Sequence, residues 1–137
     1  ARQIYEIRAA LESTAVAACA RVAGPDVKKQ LRKAMVELER TSGQNSPLGV
    51  LDATTEFYKI VFEAGGHNIA WEIVSRLNSR ISRLRVMTLS TSNRMASGPS
   101  QIREIFAAID ANDPDVAAAA CRAHVDAAAA IARTILA

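Results

Sequence analysis

The chain has 137 residues, 50% of them hydrophobic and 23% charged, with a net charge of +3. That length supports one domain with its own core and no need for a metal or disulfide staple, and so small a charge does not by itself argue for nucleic acid. No apolar run approaches the ~18 residues needed to span a bilayer, and no signal-peptide pattern opens the chain, so membrane partners are not expected.

Aromatic residues make up only 4% while alanine is abundant, and alanine costs least in a helix. About six helices and no strand are predicted. The first runs from Arg2 to Val22, with Ile4, Ile7, Leu11, Thr14 and Ala18 on one face. Gly24-Pro25-Asp26 stops it and starts a second, which continues to about Glu39 on Leu31, Met35 and Leu38. Thr41 to Pro47 reads as a loop. A third helix is expected from Leu48 to the stop at Gly65-Gly66, and a fourth from Asn68 to Thr91 on Val74, Leu77, Ile81 and Leu84. Ser97-Gly98-Pro99 is expected to break the chain. A fifth helix then covers Ser100 to Ala111, on Ile102, Ile105, Phe106 and Ile109. Asp113 as N-cap and Pro114 at the first helical position open the last helix, which reaches Leu136. Short connections between long amphipathic helices imply one all-α domain over residues 1–137, an antiparallel bundle.

Cys19 and Cys121 lie far apart in alanine-rich helical text and read as reduced thiols of a cytoplasmic protein. Catalytic constellations are missing: no phosphate loop, no H-E-x-x-H, no G-x-S-x-G, no Cys-x-x-Cys, and only two histidines. The chain is not expected to be an enzyme.

Function in a helix bundle is built from polar side chains that project into its core. His124 lies within the apolar stripe Val116, Ala120, Ala127, Ile131 and Ile135; it is either a satisfied core histidine or a ligand contact. Thr54 and Tyr58 are four apart on the face carrying Val50, Phe57 and Val61, and read as ordinary core or as a site pair. Between Glu72 and Glu104 there is no acidic residue, yet Arg76, Arg80, Arg83, Arg85, Arg94 and Arg103 fall there. That stretch is either a solvated basic face or a seat for a carboxylate or phosphate. His67 reads as a turn or cap residue, Trp71 as core or interface, and Arg8 with Glu12 as no more than an exposed ion pair.

Three segments together resemble the FCD domain, the C-terminal half of FadR-type GntR transcription regulators. Ile4-Tyr5-Glu6-Ile7-Arg8-Ala9-Ala10-Leu11-Glu12 resembles its opening, Glu56-Phe57-Tyr58 through Gly65-Gly66-His67 its middle, and Ile105 through Asn112-Asp113 to Arg122-Ala123-His124 its close. The resemblance implies a helical bundle that binds a small metabolite, often a carboxylate, and thereby alters DNA binding by an attached winged helix. No recognition helix is legible here, so DNA would be contacted only through a domain outside these residues; the chain, beginning at Ala1, reads as a fragment.

Many FCD domains hold a divalent metal on an aspartate and three histidines. Those positions fall on Thr54, Tyr58, Ile102 and His124, so only His124 is kept, and the expectation is that the metal site is lost and no cofactor is bound. The expected ligand cavity lies between the third, fourth, fifth and last helices. Thr54, Tyr58 and His124 would supply hydrogen bonds, Ile102 an apolar wall, and Arg80 or Arg8 the anion partner. The resemblance also implies a homodimer. The competing expectation is a dimerisation-only module with a degenerate, ligand-free cavity.

Overall fold

In the computed structural model, which describes residues 1–91 and 93–137, the first two helices are α1 (Arg2–Val22) and α2 (Pro25–Gly43). They are followed by α3 (Pro47–Ala64), α4 (Asn68–Arg80), α5 (Ser82–Leu89), α6 (Arg94–Asp110) and α7 (Pro114–Leu136). No strand occurs among the described residues. The local chemistry that starts and stops these helices is largely the chemistry read from the sequence. Ser46 caps α3 by accepting the Gly49 N–H at 3.1 Å, and Asp113 caps α7 by accepting the Val116 N–H at 3.2 Å. At the end of α3, Gly66 takes a left-handed φ of 74°, which lets His67 N–H reach back to Phe62 O at 2.9 Å. Asn112 plays the same part after α6 at φ 55°, and its side-chain amide donates to the carbonyls of Ala20 and Ala23, fastening that corner to the end of α1.

Two breaks differ from expectation. The predicted fourth helix is two helices, because the chain turns at Ile81 (φ −120°, ψ 19°). Conversely, Ser97-Gly98-Pro99 breaks nothing: α6 begins at Arg94 and carries Pro99 inside it. The missing Pro99 N–H frees the Met95 carbonyl, which instead accepts the Ser42 hydroxyl from α2 at 2.9 Å. A tertiary contact thus supplies the hydrogen bond that the helix cannot.

Interhelix contacts define the arrangement. α7 runs antiparallel to α1: Asn112 at its beginning meets the end of α1, while Ala132 and Leu136 meet Ala1 and Tyr5. α6 runs antiparallel to α2, with Arg32–Asp110 at one end and Ser42–Met95 at the other. α3 lies along α1, close enough at its C-terminal end that a Cβ on Gly65 would sit 3.1 Å from Ala18 Cβ. The core is filled by Phe57, Phe62, Leu31, Leu38, Ile102, Ile105 and Ile109, with small residues from α1 and α7 between them.

The buried faces of α2, α3 and α6 are those the apolar periodicity predicts. On α1 the buried line is Tyr5, Arg8, Glu12, Val16 and Cys19, one position away from the expected Ile4–Ile7–Leu11 face. On α7 it is Ala117, Cys121, His124, Val125 and Ala132; His124 is inward as expected, whereas Val116 is exposed. Alanine on every side of both helices leaves little contrast, and on α1 two of the inward residues are charged.

Candidate ligand-binding site

The charges on α1 are the first departure from a plain core. Arg8 and Glu12, expected as an exposed pair, are 4% and 1% exposed and joined by Arg8 Nε–H donating to Glu12 Oε2 at 2.8 Å. Burial works against the Arg8 charge, but Glu12 more than restores it and holds the guanidinium above its ordinary pKa. Arg8 also lies over the Tyr5 ring, 5.2 Å from its centroid. Glu12 Oε1 and the Tyr5 hydroxyl are buried with no hydrogen-bond partner among the described residues.

Beside this pair is a cavity of about 50 Å³. By the usual requirement of roughly 10–15 Å³ per water it holds three or four waters or one compact ligand. α1 contributes Tyr5 and Arg8, α3 Val50, Leu51 and Thr54, and α5 Arg85, Thr88 and Leu89. α6 adds Arg94 and Gly98, and α7 adds His124 and Ala128.

The far wall of the cavity is a second polar cluster. Arg94, 3% exposed, donates from Nη1 to Gln101 Oε1 at 2.7 Å and from Nη2 to the His124 carbonyl at 3.1 Å. His124 Nδ1 is 2.9 Å from the same Gln101 oxygen. The same Nδ1 is 3.2 Å from Arg94 Nη2, so the imidazole, the amide and the guanidinium form one cluster. Burial, then the neighbouring Arg94, Arg8 and Arg85, pushes the His124 pKa well below its ordinary value, so the ring is neutral at pH 7. Burial, followed by Arg8, lowers Arg85 to about 10, which leaves it charged at neutral pH. The cavity therefore gathers three guanidiniums and one adjacent carboxylate, and that carboxylate belongs to Arg8. Among the described residues neither Arg85 nor Arg94 has a carboxylate within 4.0 Å.

Of the residues singled out in the sequence, Arg8, Thr54 and His124 line this cavity. Thr54 Oγ1 donates to Val50 O at 2.8 Å and keeps its lone pairs. Tyr58 is buried outside the lining, its hydroxyl 3.6 Å from Cys121 Sγ, and burial raises the pKa of both groups. Ile102 is 1% exposed and packs in the core, also away from the cavity. Arg80 is exposed at the last turn of α4 and does not line it. Arg85 is the inward arginine of this stretch: it stands one turn after the buried Ile81 and one turn before Thr88, on the side that carries Val74. Arg85, Arg94, Gln101, Tyr5 and Glu12 were missed as site residues. The acid-free run of arginines was the signal for Arg85 and Arg94; nothing local marked Gln101, which meets its partners only through tertiary packing.

The four positions at which related domains hold a divalent metal do not fit one here. A threonine hydroxyl bonded to its own helix, a tyrosine beside a thiol, an isoleucine and one imidazole make a single good ligand. Three guanidiniums around the same space would repel a cation. No group of three or more His, Cys, Asp or Glu side chains among the described residues could hold a metal ion.

The fold is thus an all-helical bundle with a small cationic cavity among α1, α3, α5, α6 and α7. The chain is a member of the FCD domain family, whose family model matches residues 3–127; such domains are the effector-binding part of GntR-type regulators. Among solved structures it is similar to E. coli McbR/YncC, with a TM-score of 0.86 over 97% of this chain and 67% of that one, at 16% identity. That likeness bears on the fold alone. No curated protein matches the chain in sequence. Among the described residues no helix is long and apolar enough to cross a membrane.

Proposed function

We propose that this domain senses a small anionic metabolite without a metal ion, and that the bound anion controls DNA binding by an attached winged-helix domain of a FadR-type regulator. The observation that carries this reading is the charge imbalance of the cavity: Arg8 is neutralised by Glu12, whereas Arg85 and Arg94 face the same small space with no carboxylate of their own. Arg94 is buried and Arg85 half-buried, and holding such charges without a counter-ion costs free energy that an anion in the cavity offsets. Arg8, Thr54 and His124 would contact the ligand with Arg85 and Arg94, while Tyr58 and Ile102 support the walls from behind.

The cavity joins α1 and α3 on one side to α5 and α6 on the other. An anion bridging those walls favours the packing in which they are drawn together, and that preference is what an attached domain could read. Native mass spectrometry of the purified domain tests the reading. A retained small organic anion with no metal, released in an Arg94→Gln variant, supports it; an adduct that appears only together with a divalent metal overturns it.

A second reading, a dimerisation module whose cavity no longer serves a ligand, is favoured by one observation. Ile69 and Ile73, one turn apart on α4, are 76% and 44% exposed and offer an apolar strip to a second copy. A homodimer that takes up no anion at any charge state, and dissociates on Ile69→Lys, would select that reading.

A further inference from the structure

Arg94 is an unusual cation because its position is fixed from three directions. Gln101 Oε1 and the His124 carbonyl hold its two terminal nitrogens, and the guanidinium lies against Gly98, where an added Cβ would sit 3.7 Å from Nε. His124 is the one ligand kept from the metal set that the family resemblance implies, so Arg94 is bonded to the residue that a metal would otherwise bind. Two bonds leave a guanidinium three further N–H donors, and Gly98, which lines the cavity, leaves the Nε edge uncovered. Across the same space stands Arg85, also without a carboxylate, and the buried Tyr5 hydroxyl lies in the field of Arg8, Arg85 and Arg94 with no partner of its own.

We infer that Arg94 is a built-in replacement for the metal ion, and that Arg94 and Arg85 together select a compact oxyanion with two negative charges on one centre, a phosphate or the phosphoryl group of a metabolite. This rests on the anion-sensing reading and sharpens it. Two uncompensated cations call for two negative charges. A cavity of about 50 Å³ favours both charges on one small group over a dicarboxylate that spreads them along a carbon chain. Guanidinium forks match the paired oxygens of such a group, and the Tyr5 hydroxyl supplies a neutral donor to a third.

The test is calorimetric titration of the EDTA-dialysed protein with inorganic phosphate, glycerol 3-phosphate, malonate and acetate. Phosphate or the phosphomonoester should bind at least ten-fold tighter than acetate and malonate, with no change when a divalent metal is added. Preference between the two phosphates tells a free ion from a metabolite's headgroup. Arg94→Gln should weaken phosphate at least ten-fold, and Arg94→Lys, which keeps the charge but not the fork, should recover only part of the loss.

Gly98→Ala separates a ligand role from a structural one. Its added methyl makes ordinary contact with Arg94 and removes a glycine from a helix interior, so the melting temperature should rise by about 2 °C. Phosphate affinity should nonetheless fall several-fold because the Nε edge is covered. Acetate or malonate binding as tightly as phosphate, or phosphate binding only with added metal, overturns this inference while leaving an anion sensor. Absence of binding by all four anions overturns the sensor reading as well.

Discussion

The two walls of the cavity carry the same kind of residue in opposite electrostatic states. On α1, Arg8 has its own carboxylate within 2.8 Å and behaves as part of the core. On α5 and α6, Arg85 and Arg94 have neutral partners or none, and burial lowers the pKa of each. A buried charge that is paired contributes to the fold, whereas one left unpaired weakens it until a ligand arrives. Local sequence makes the difference: Glu12 stands one turn after Arg8, but no acidic residue lies anywhere between Glu72 and Glu104.

The comparison breaks most visibly if charge is removed from each wall in turn. Glu12→Ala strands Arg8 as a third uncompensated cation and should cost about 3–5 kcal/mol in a urea melt. Arg85→Met removes a half-buried charge that has no counter-ion, and should leave stability unchanged or slightly raised. The same variant should lose most of its stabilisation by added phosphate. If both variants proved equally destabilising, the two walls would not differ in kind.

The next effect in size concerns pH. The folded pKa of His124 lies below its unfolded value, so between the two the unfolded chain binds more protons. The stability that neutral His124 contributes is therefore complete above about pH 6.5, its ordinary pKa, and falls as the pH drops towards the folded value. The slope is at most about 1.4 kcal/mol per pH unit. Urea melts between pH 7.5 and 5.5 should show this fall, and His124→Gln should flatten it. A slope unchanged in that variant would assign the titration elsewhere. The smallest effect lies outside the cavity. Ser42→Ala leaves the Met95 carbonyl opposite Pro99 without its donor and should cost about 1 kcal/mol, with anion binding intact.

The sequence by itself determined the fold class, the starts and stops at Gly24, Gly66 and Asp113, and the inward faces of α2, α3 and α6. These depend on backbone preferences, caps and apolar periods that act within a few residues. It also exposed the concentration of arginines after Glu72. What it could not determine was which charges are buried. Arg8 and Glu12 are inside because they satisfy each other, and hydrophobic periodicity scores each as an outward residue. Arg85 rather than Arg80 lines the cavity because it stands one turn after the buried Ile81, on the side that carries Val74 and Thr88. Pro99 stays helical because a serine 57 positions earlier in the chain takes up the freed carbonyl. The cluster of Arg94, Gln101 and His124 likewise forms only when α6 and α7 pack together. Pro99 and the Arg94 cluster depend on partners distant in sequence, which only tertiary structure brings within hydrogen-bond range; Arg8 and Glu12 are one turn apart, and packing decides only that they face inward.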